Sequence, residues 1–431
     1  MTRSEATYPR GGARRGEARH VVVAGMGALT PCGSGVGALW GAVRNGRSAI
    51  EVLDDNVFTG LPVRIGGVVR GFDAEAVLSR ALARRLMPAQ QWAVAAADEA
   101  MRQVGVALPS PGSDGPAGWA RLPWSPHRFS IITATGSGPV DATLQAEAAF
   151  QARGPRGVPV TFAAYGAPDA VGTVLAKRYG ATGASHALCA TCASGSSALG
   201  QGMRLIRHGY ADAVLVVAVE DCLNPVNLSS NANLRALATG YEDNPAEACR
   251  PFDRGRRGFV MAQGAAAMLL TAAPSDGWRN SDTDGRGAGG DRAVIPALAE
   301  LAGFGAAEDA YHPTSPHPEG LGAALAIEDC LADAGVTPDE VAHINAHATG
   351  TPAGDAAEIA AFDRVFHEAG RRIPISATKA VTGHLMGASG VAEAIIAVET
   401  LRSGVLPGTG NLADSEFPDW DIVAGPSRPA P

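Results

Sequence analysis

Aromatic residues make up only 5% of this 431-residue chain, and cysteines number six. Six cysteines over such a length form no disulfide framework. A zinc site needs about four ligands, usually as two spaced pairs. Here the one C-x-x-C is Cys189–Cys192, within "ALCATCASGSSALGQGMRLIRHG", while Cys32, Cys222, Cys249 and Cys330 are scattered. No apolar run approaches a membrane span, and the opening "MTRSEATYPRGGARRGEARH" lacks the apolar centre of a signal peptide. These absences predict a cytoplasmic protein whose thiols are mostly reduced. Positive charge is short as well: 35 Lys and Arg face 43 Asp and Glu, for a net charge of −8. That balance argues against nucleic acid as a partner, and an acidic protein partner would need a local basic patch.

What is present is apolar and glycine-rich: 46% hydrophobic residues, 54 glycines and 29 prolines, with no collagen-like period. Residues 1–18 read as a disordered basic tail. Strand-like runs follow at His20–Ala24, Ser130–Thr135, Ala213–Val219, Ala293–Ala299 and Val341–Ala346. Helical patterns lie at Gln91–Val104, Ser194–Arg207, Leu321–Ala334 and Gly390–Leu401. Near-continuous apolar strands between helices predict α/β layers with sheets covered on both faces. The polar stretch "PSDGWRNSDTDGRGAGGDR", 274–292, reads as a flexible linker between an N-terminal half, 19–273, and a C-terminal half, 293–431. A faint echo relates the halves. "ASG" at Ala193–Gly195 is followed by Arg207 and Gly209, and "ASG" at Ala388–Gly390 by Arg402 and Gly404 at the same offsets.

Three readings compete for Cys189–Cys192: a metal pair, a redox pair, or a nucleophile with a neighbour. The first lacks a second pair, and the second usually opens a much smaller domain. The third fits better, because Cys192 stands where a helix should begin, and the positive end of that helix would favour its thiolate. Cys189 is then expected as a packed thiol on the strand side. His343 and His347 in "VAHINAHATGTPAGDAAEIAAF" are four apart on a strand-like run, roughly 13 Å from each other and too far to share a metal. His347, before a Gly/Pro turn, is the stronger site candidate. Lys379 and His384 in "ISATKAVTGHLMGASG" lie at another strand-to-helix transition. Three such transitions predict one converging site.

These segments carry a resemblance. "VVVAGMGALTPCG", "TCASGSSALG", "CRPFDRGRRGFVMAQGAA", "GFGAAEDAYHPTSP", "NAHATGTPAGDAAE" and "TKAVTGHLMGASG" together resemble the β-ketoacyl synthases of fatty acid and type II polyketide synthesis, from about Val21 to Val423. The resemblance implies a thiolase-like fold, two duplicated halves in a five-layered αβαβα core. It also implies decarboxylative Claisen condensation. Cys192 would hold an acyl group as a thioester, and His347 and His384 would stabilise the enolate of a carrier-bound malonyl unit. Lys379 and Glu358 would form a charged pair that orients the histidines, with Asp355 beside them. Thr349 and Thr351 would lie near the extender's phosphopantetheine arm, and Phe259 would pack or gate. No cofactor and no metal are implied.

The sequence also departs from the family pattern. Gln263 stands where an acid is usual, removing a negative charge expected near Lys379. Ala348 replaces a usual glycine after His347. The resemblance further implies two more strands joined by a Gly/Phe-rich loop after the segment that ends at Pro431, so the C-terminal half reads as truncated and condensation as weakened. Expected partners are an acyl carrier protein and a second ketosynthase-like chain, as homodimer or heterodimer. Arg80, Arg84, Arg85 and Arg235 are candidates for the carrier patch, with a solvated face as the alternative. Three functions stay open: a condensing synthase, a transacylase or malonyl decarboxylase on the same fold, and a non-condensing partner subunit.

Overall fold

The computed structural model describes residues 19–53, 56–108, 120–273, 295 and 297–431. The expected basic tail and the 274–292 linker lie outside the described residues, as do residues 293, 294 and 296 of the expected strand at 293–299, of whose described residues only Ala299 is in a strand, Ala299–Glu300.

Long apolar runs build the main sheet. Val21–Thr30, Phe129–Ala134 and Ala213–Glu220 are buried at every position, as strands covered on both faces must be. The strand order is Gly33–Ser34, Val21–Thr30, Gly264–Ala272, Ala213–Glu220, Phe129–Ala134 and Ser185–Leu188, with Ala299–Glu300 also paired to Val21–Thr30. Phe129–Ala134 runs parallel to both Ser185–Leu188 and Ala213–Glu220. The C-terminal ends of these three strands therefore open on the same side, the usual place for a site in layered α/β folds. Gly25 and Gly27 let the helix Pro88–Gln103 close on the sheet. A Cβ at either would stand 2.2 Å from the Ala100 carbonyl oxygen or 1.9 Å from that of Ala96.

Helices Pro88–Gln103 and Ala170–Tyr179 cover one face of the sheet. Helices Ser194–Arg207 and Ser389–Ser403 cover the other. The C-terminal half adds the parallel pair Ile344–Asn345 and Ile375–Ser376, packed under helices Leu321–Ala334 and Pro352–Gly370. These are the five layers of the thiolase-like fold. The helices Ser194–Arg207 and Leu321–Ala334 have the bounds that their periodicity predicts. The strand expected at Val341–Ala346 is reduced to Ile344–Asn345, because the chain there pairs with a single short neighbour.

The sequence echo is physical. The two helices that open on "ASG" meet at their first turns, where a Cβ on Gly195 would lie 3.3 Å from Gly390 Cα. One on Gly390 would lie 2.5 Å from the Ser196 nitrogen. Only glycine permits this approach. It brings the Cys192 turn from one half against the segment after His384 from the other.

Candidate active site

Cys192 lies on the turn between the strand Ser185–Leu188 and the helix Ser194–Arg207. The turn is tight. Thr191 has a φ of 47°, the Ala193 N–H reaches the Ala190 carbonyl at 3.0 Å, and Ser194 Oγ donates to the Thr191 and Thr135 carbonyls. Two more non-glycine residues with positive φ flank the site, Ala348 (23°) after His347 and Met386 (47°) after His384. Backbone strain of this kind persists where the surrounding structure enforces it, and here it borders all three reactive side chains. Ala348 also shows why a glycine would be at ease at that position.

His384 Nε2 lies 3.0 Å from Cys192 Sγ. The Met386 N–H donates to His384 Nδ1 at 3.2 Å, and Ser389 Oγ lies 2.9 Å from the same nitrogen. A neutral ring that accepts at Nδ1 carries its proton on Nε2. That proton is aimed at the sulfur, where it supports a thiolate rather than removing the thiol proton. Lys379 Nζ, which has only donors to offer, lies 3.4 Å from His347 Nδ1 and so puts the His347 proton on Nε2 too. The two rings stand edge to face with centroids 5.2 Å apart, and donor atoms of Cys192, His347 and His384 all lie within 4.8 Å of one another. Phe259 packs edge-on against the His384 ring at 5.3 Å, which fixes that ring's plane.

Desolvation by the surrounding protein and the Lys379 charge lower His347 toward about 3, although the residue keeps an exposed side, and burial with the same ammonium holds His384 well below the ordinary histidine range. Both folded values lie below the unfolded one, so the stability carried by the neutral rings is present above about pH 6.5 and is lost as pH falls toward 3. The imidazole shifts of these two residues, followed by NMR, are expected to stay flat from pH 8 down to about 5. A titration near 6.5 in either ring would refute the neutral assignment.

The helix dipole does not decide the state of the sulfur. Burial pushes the Cys192 thiol up to about 11, Lys379 draws it down, and Glu220 adds to the rise. The expected resting thiolate is therefore corrected: desolvation outweighs the helix terminus. Cys192 is nonetheless a half-buried residue whose sulfur meets a polar ring, His384, rather than sealed hydrocarbon.

The expected pair of Lys379 and Glu358 is also corrected. Buried Lys379 forms its ion pair with Glu393, on the helix Ser389–Ser403, and donates to the His347 carbonyl at 2.5 Å. Glu358 instead accepts the N–H groups of His347 and Ala348, each at 2.7 Å, and holds the His347 loop in place. Burial pushes Glu358 up to about 7 and Asp355 up to about 6. Asp355 is fully buried and accepts the N–H groups of Phe252 (2.8 Å) and Gly350 (3.0 Å). Gln263 is buried just before the strand Gly264–Ala272 and forms no hydrogen bond to Lys379. The Thr349 and Thr351 hydroxyls lie 3.0 Å apart, ahead of the helix Pro352–Gly370.

Other candidates fall outside the site. His343 Nε2 bonds Ser376 Oγ at 2.9 Å, a structural role. Arg80, Arg84 and Arg85 are exposed around the short helix Arg80–Ala83, anchored by Leu78 and Leu86 in one core cluster. Arg235 is exposed beside Leu237 of another. Cys189 is exposed rather than packed, and its thiol donates to the Gly136 carbonyl at 3.3 Å.

Two acids escaped the sequence reading, Glu393 and Glu220. Buried Glu220 ends the strand Ala213–Glu220 and accepts the N–H groups of Gly136 (2.5 Å) and Gly387 (3.0 Å) and the Ser137 hydroxyl (2.6 Å). It ties the turn after Ala134 to the one after His384. A lone acid closing the apolar run "AVLVVAV" was the available signal.

Comparison with known proteins agrees with this geometry. Residues 18–275 match the N-terminal domain model of the β-ketoacyl synthases and residues 298–413 the C-terminal domain model. The chain is 34% identical over 399 residues to the 3-oxoacyl-(acyl-carrier-protein) synthase 2 of Vibrio cholerae, covering 92% of this chain and 90% of that one. A type II polyketide ketosynthase structure, solved with its acyl-carrier protein, superposes with a TM-score of 0.81 at 26% identity, covering 96% and 94% of the two chains. The ishigamide ketosynthase/chain length factor gives the same TM-score, identity and coverage. Among the described residues, no helix is long and apolar enough to cross a membrane. With both domain models matched across most of its length, and one cysteine and two histidines meeting between the two halves, the chain belongs to the β-ketoacyl synthase family.

Proposed function

We propose that this chain is a β-ketoacyl-acyl carrier protein synthase that joins a carrier-bound malonyl unit to an acyl group held on Cys192. The observation that carries the reading is the meeting of Cys192 Sγ with two neutral imidazoles, His384 Nε2 lying 3.0 Å away. In the first step the Cys192 sulfur attacks the carbonyl of an acyl thioester, and the carrier's thiol leaves. The malonyl thioester then loses carbon dioxide, and its carbonyl oxygen takes up the enolate charge. The Nε2–H groups of His347 and His384 donate to that oxygen, where charge appears only in the transition state. The enolate carbon attacks the acyl carbonyl on Cys192, and the sulfur departs.

The substrates ride on phosphopantetheine arms, and this route uses no redox or organic cofactor. Lys379 and Glu393 hold the proton positions of His347, while Thr349 and Thr351 line the approach of the extender. A second ketosynthase-like chain is supported by the edge strand Ser185–Leu188, which ends the sheet with its first residues exposed and an unpaired rim.

The test is intact-mass spectrometry of the chain after incubation with an acyl-carrier thioester, followed by a malonyl-carrier chase. An acyl adduct mapped to the Cys192 peptide, consumed by the chase with release of a β-ketoacyl product, is the expected result. An adduct that the chase does not consume leaves a transacylase, and no adduct at Cys192 overturns the proposal.

A further inference from the structure

A cleft of about 920 Å³ has no part in the proposed chemistry, since none of its lining residues bonds to Cys192, His347, His384 or Lys379. Nor does it include the edge strand Ser185–Leu188. Separate segments of the chain wall it, and hydrogen bonds tie them together. The Ser427 hydroxyl donates to the Arg44 carbonyl at 2.7 Å and accepts the Gly408 N–H at 3.3 Å. The Asn411 amide donates to the Ala246 and Cys249 carbonyls, each at 2.8 Å. The cleft is therefore preformed rather than a gap between loose loops.

Its charge is the reverse of the chain's. Arg44, Arg250 and Arg428 line it against one acid, Glu247, in a protein of net charge −8. Arg428 is paired with Asp421. Arg250 uses only Nε, on Asp253 at 3.2 Å, and keeps both terminal nitrogens. Arg44 is exposed, and among the described residues its guanidinium has no hydrogen bond and no ion pair. The N–H groups of Gly410, Asn411 and Leu412 likewise have no acceptor among the described residues, and Asn411 stands in the left-handed region at a φ of 60°. Successive free N–H groups at such a turn form anion-binding concavities. Guanidinium forks match phosphate oxygens in the same way. A lone phosphate would leave most of this volume empty, since pockets that hold whole small molecules measure about 300–1,000 Å³.

We propose that this cleft binds a phosphate-bearing small molecule of about nucleotide size, at a site separate from the condensing one. The phosphates meet the Arg44 and Arg250 guanidinium groups and the N–H groups of the loop at Gly410 to Leu412. The body of the ligand lies along the backbone at Gly408 and Gly425, which carry no side chain. Gly410 also packs on the helix Lys379–Thr382, where a Cβ would stand 2.8 Å from Ala380 Cβ, so the ligand rests behind the segment that carries Lys379. The inference does not depend on the role proposed for Cys192.

The test is calorimetric titration of the full chain with ADP, inorganic pyrophosphate and adenosine. ADP and pyrophosphate are expected to compete for one saturable site, ADP the more tightly, and adenosine is expected not to compete. Affinity for both anions should fall as salt rises. Arg44→Ala removes no hydrogen bond or ion pair within the protein, and it should weaken ADP by about tenfold, the loss of one charge-assisted hydrogen bond. Arg44→Glu should weaken it further, and Arg250→Lys, which keeps the charge but not the fork, should weaken it as well. An unchanged rate of Cys192 alkylation shows that each variant is folded. Absence of saturable binding by both ADP and pyrophosphate would overturn the proposal, as would adenosine competing as well as ADP. So would an ADP affinity in folded Arg44→Glu within about twofold of the unmodified chain's.

Discussion

Replacing Lys379 by methionine is expected to cost about 3–5 kcal/mol of stability and to remove most condensing activity. Lys379 is buried, and its ammonium joins Glu393, the His347 carbonyl and His347 Nδ1. Methionine fills similar space and supplies none of these donors. Glu393 is then an uncompensated carboxylate in a place where burial already pushes it above the ordinary range. Its folded value would rise further above the unfolded one, so the deficit should be smallest in acid and grow as pH rises through the new value. His347 Nδ1 also loses the donor that fixes its tautomer, and the ring no longer presents its N–H to substrate in a single state. The double variant Lys379→Met with Glu393→Gln separates the two effects. It should recover most of the stability in denaturant titrations and little of the activity. Recovery of both, or loss of neither in the single variant, would show that the ammonium does not set the state of His347.

Much of the fold and part of the site could be read from the chain, and the division has physical causes. Strands covered on both faces appear as unbroken apolar runs, and the helices Ser194–Arg207 and Leu321–Ala334 announce themselves by periodicity. Cys192, His347, Lys379 and His384 were visible because each stands where a strand gives way to a helix or turn. The partners of Lys379 were not. Glu358 and Glu393 both lie on helices beyond it or before it in sequence, and only packing brings Glu393 to the ammonium while the His347 loop takes up Glu358. Glu220 was hidden for a related reason, since its donors come from two turns far apart in the chain. The resting state of Cys192 was misjudged because a helix terminus is local and legible, whereas desolvation depends on everything that surrounds the sulfur. Cys189 was expected to be packed because of its neighbours in sequence, yet it follows the strand at the edge of the sheet.

Glu220 should prove nearly as sensitive as Lys379, although it touches no substrate. Its carboxylate takes the Gly136 and Gly387 N–H groups on one oxygen and, on the other, the Ser137 hydroxyl together with the Thr135 hydroxyl and the Ser137 N–H, these last two at 3.3 Å. Glu220→Ala leaves the buried Gly387 N–H without an acceptor, at about 1–3 kcal/mol, and frees the part-buried Gly136 and Ser137 N–H groups as well. It also unties the turn after Ala134 from the turn that follows His384. Glu220→Gln can keep the Gly136 and Gly387 N–H groups on its carbonyl oxygen while its amide faces the two hydroxyls, which can turn to accept, and gives up only the long Ser137 N–H contact. Its stability loss should therefore be less than half that of the alanine variant. Charge gives a second readout. Glu220 raises the Cys192 thiol, so the glutamine variant should move the pH midpoint of Cys192 alkylation downward. A structural strut without electrostatic reach would destabilise the protein and leave that midpoint where it was. A downward move in the well-folded glutamine variant would show that this acid, held by the backbone of two converging turns, helps to keep the resting sulfur protonated until substrate arrives.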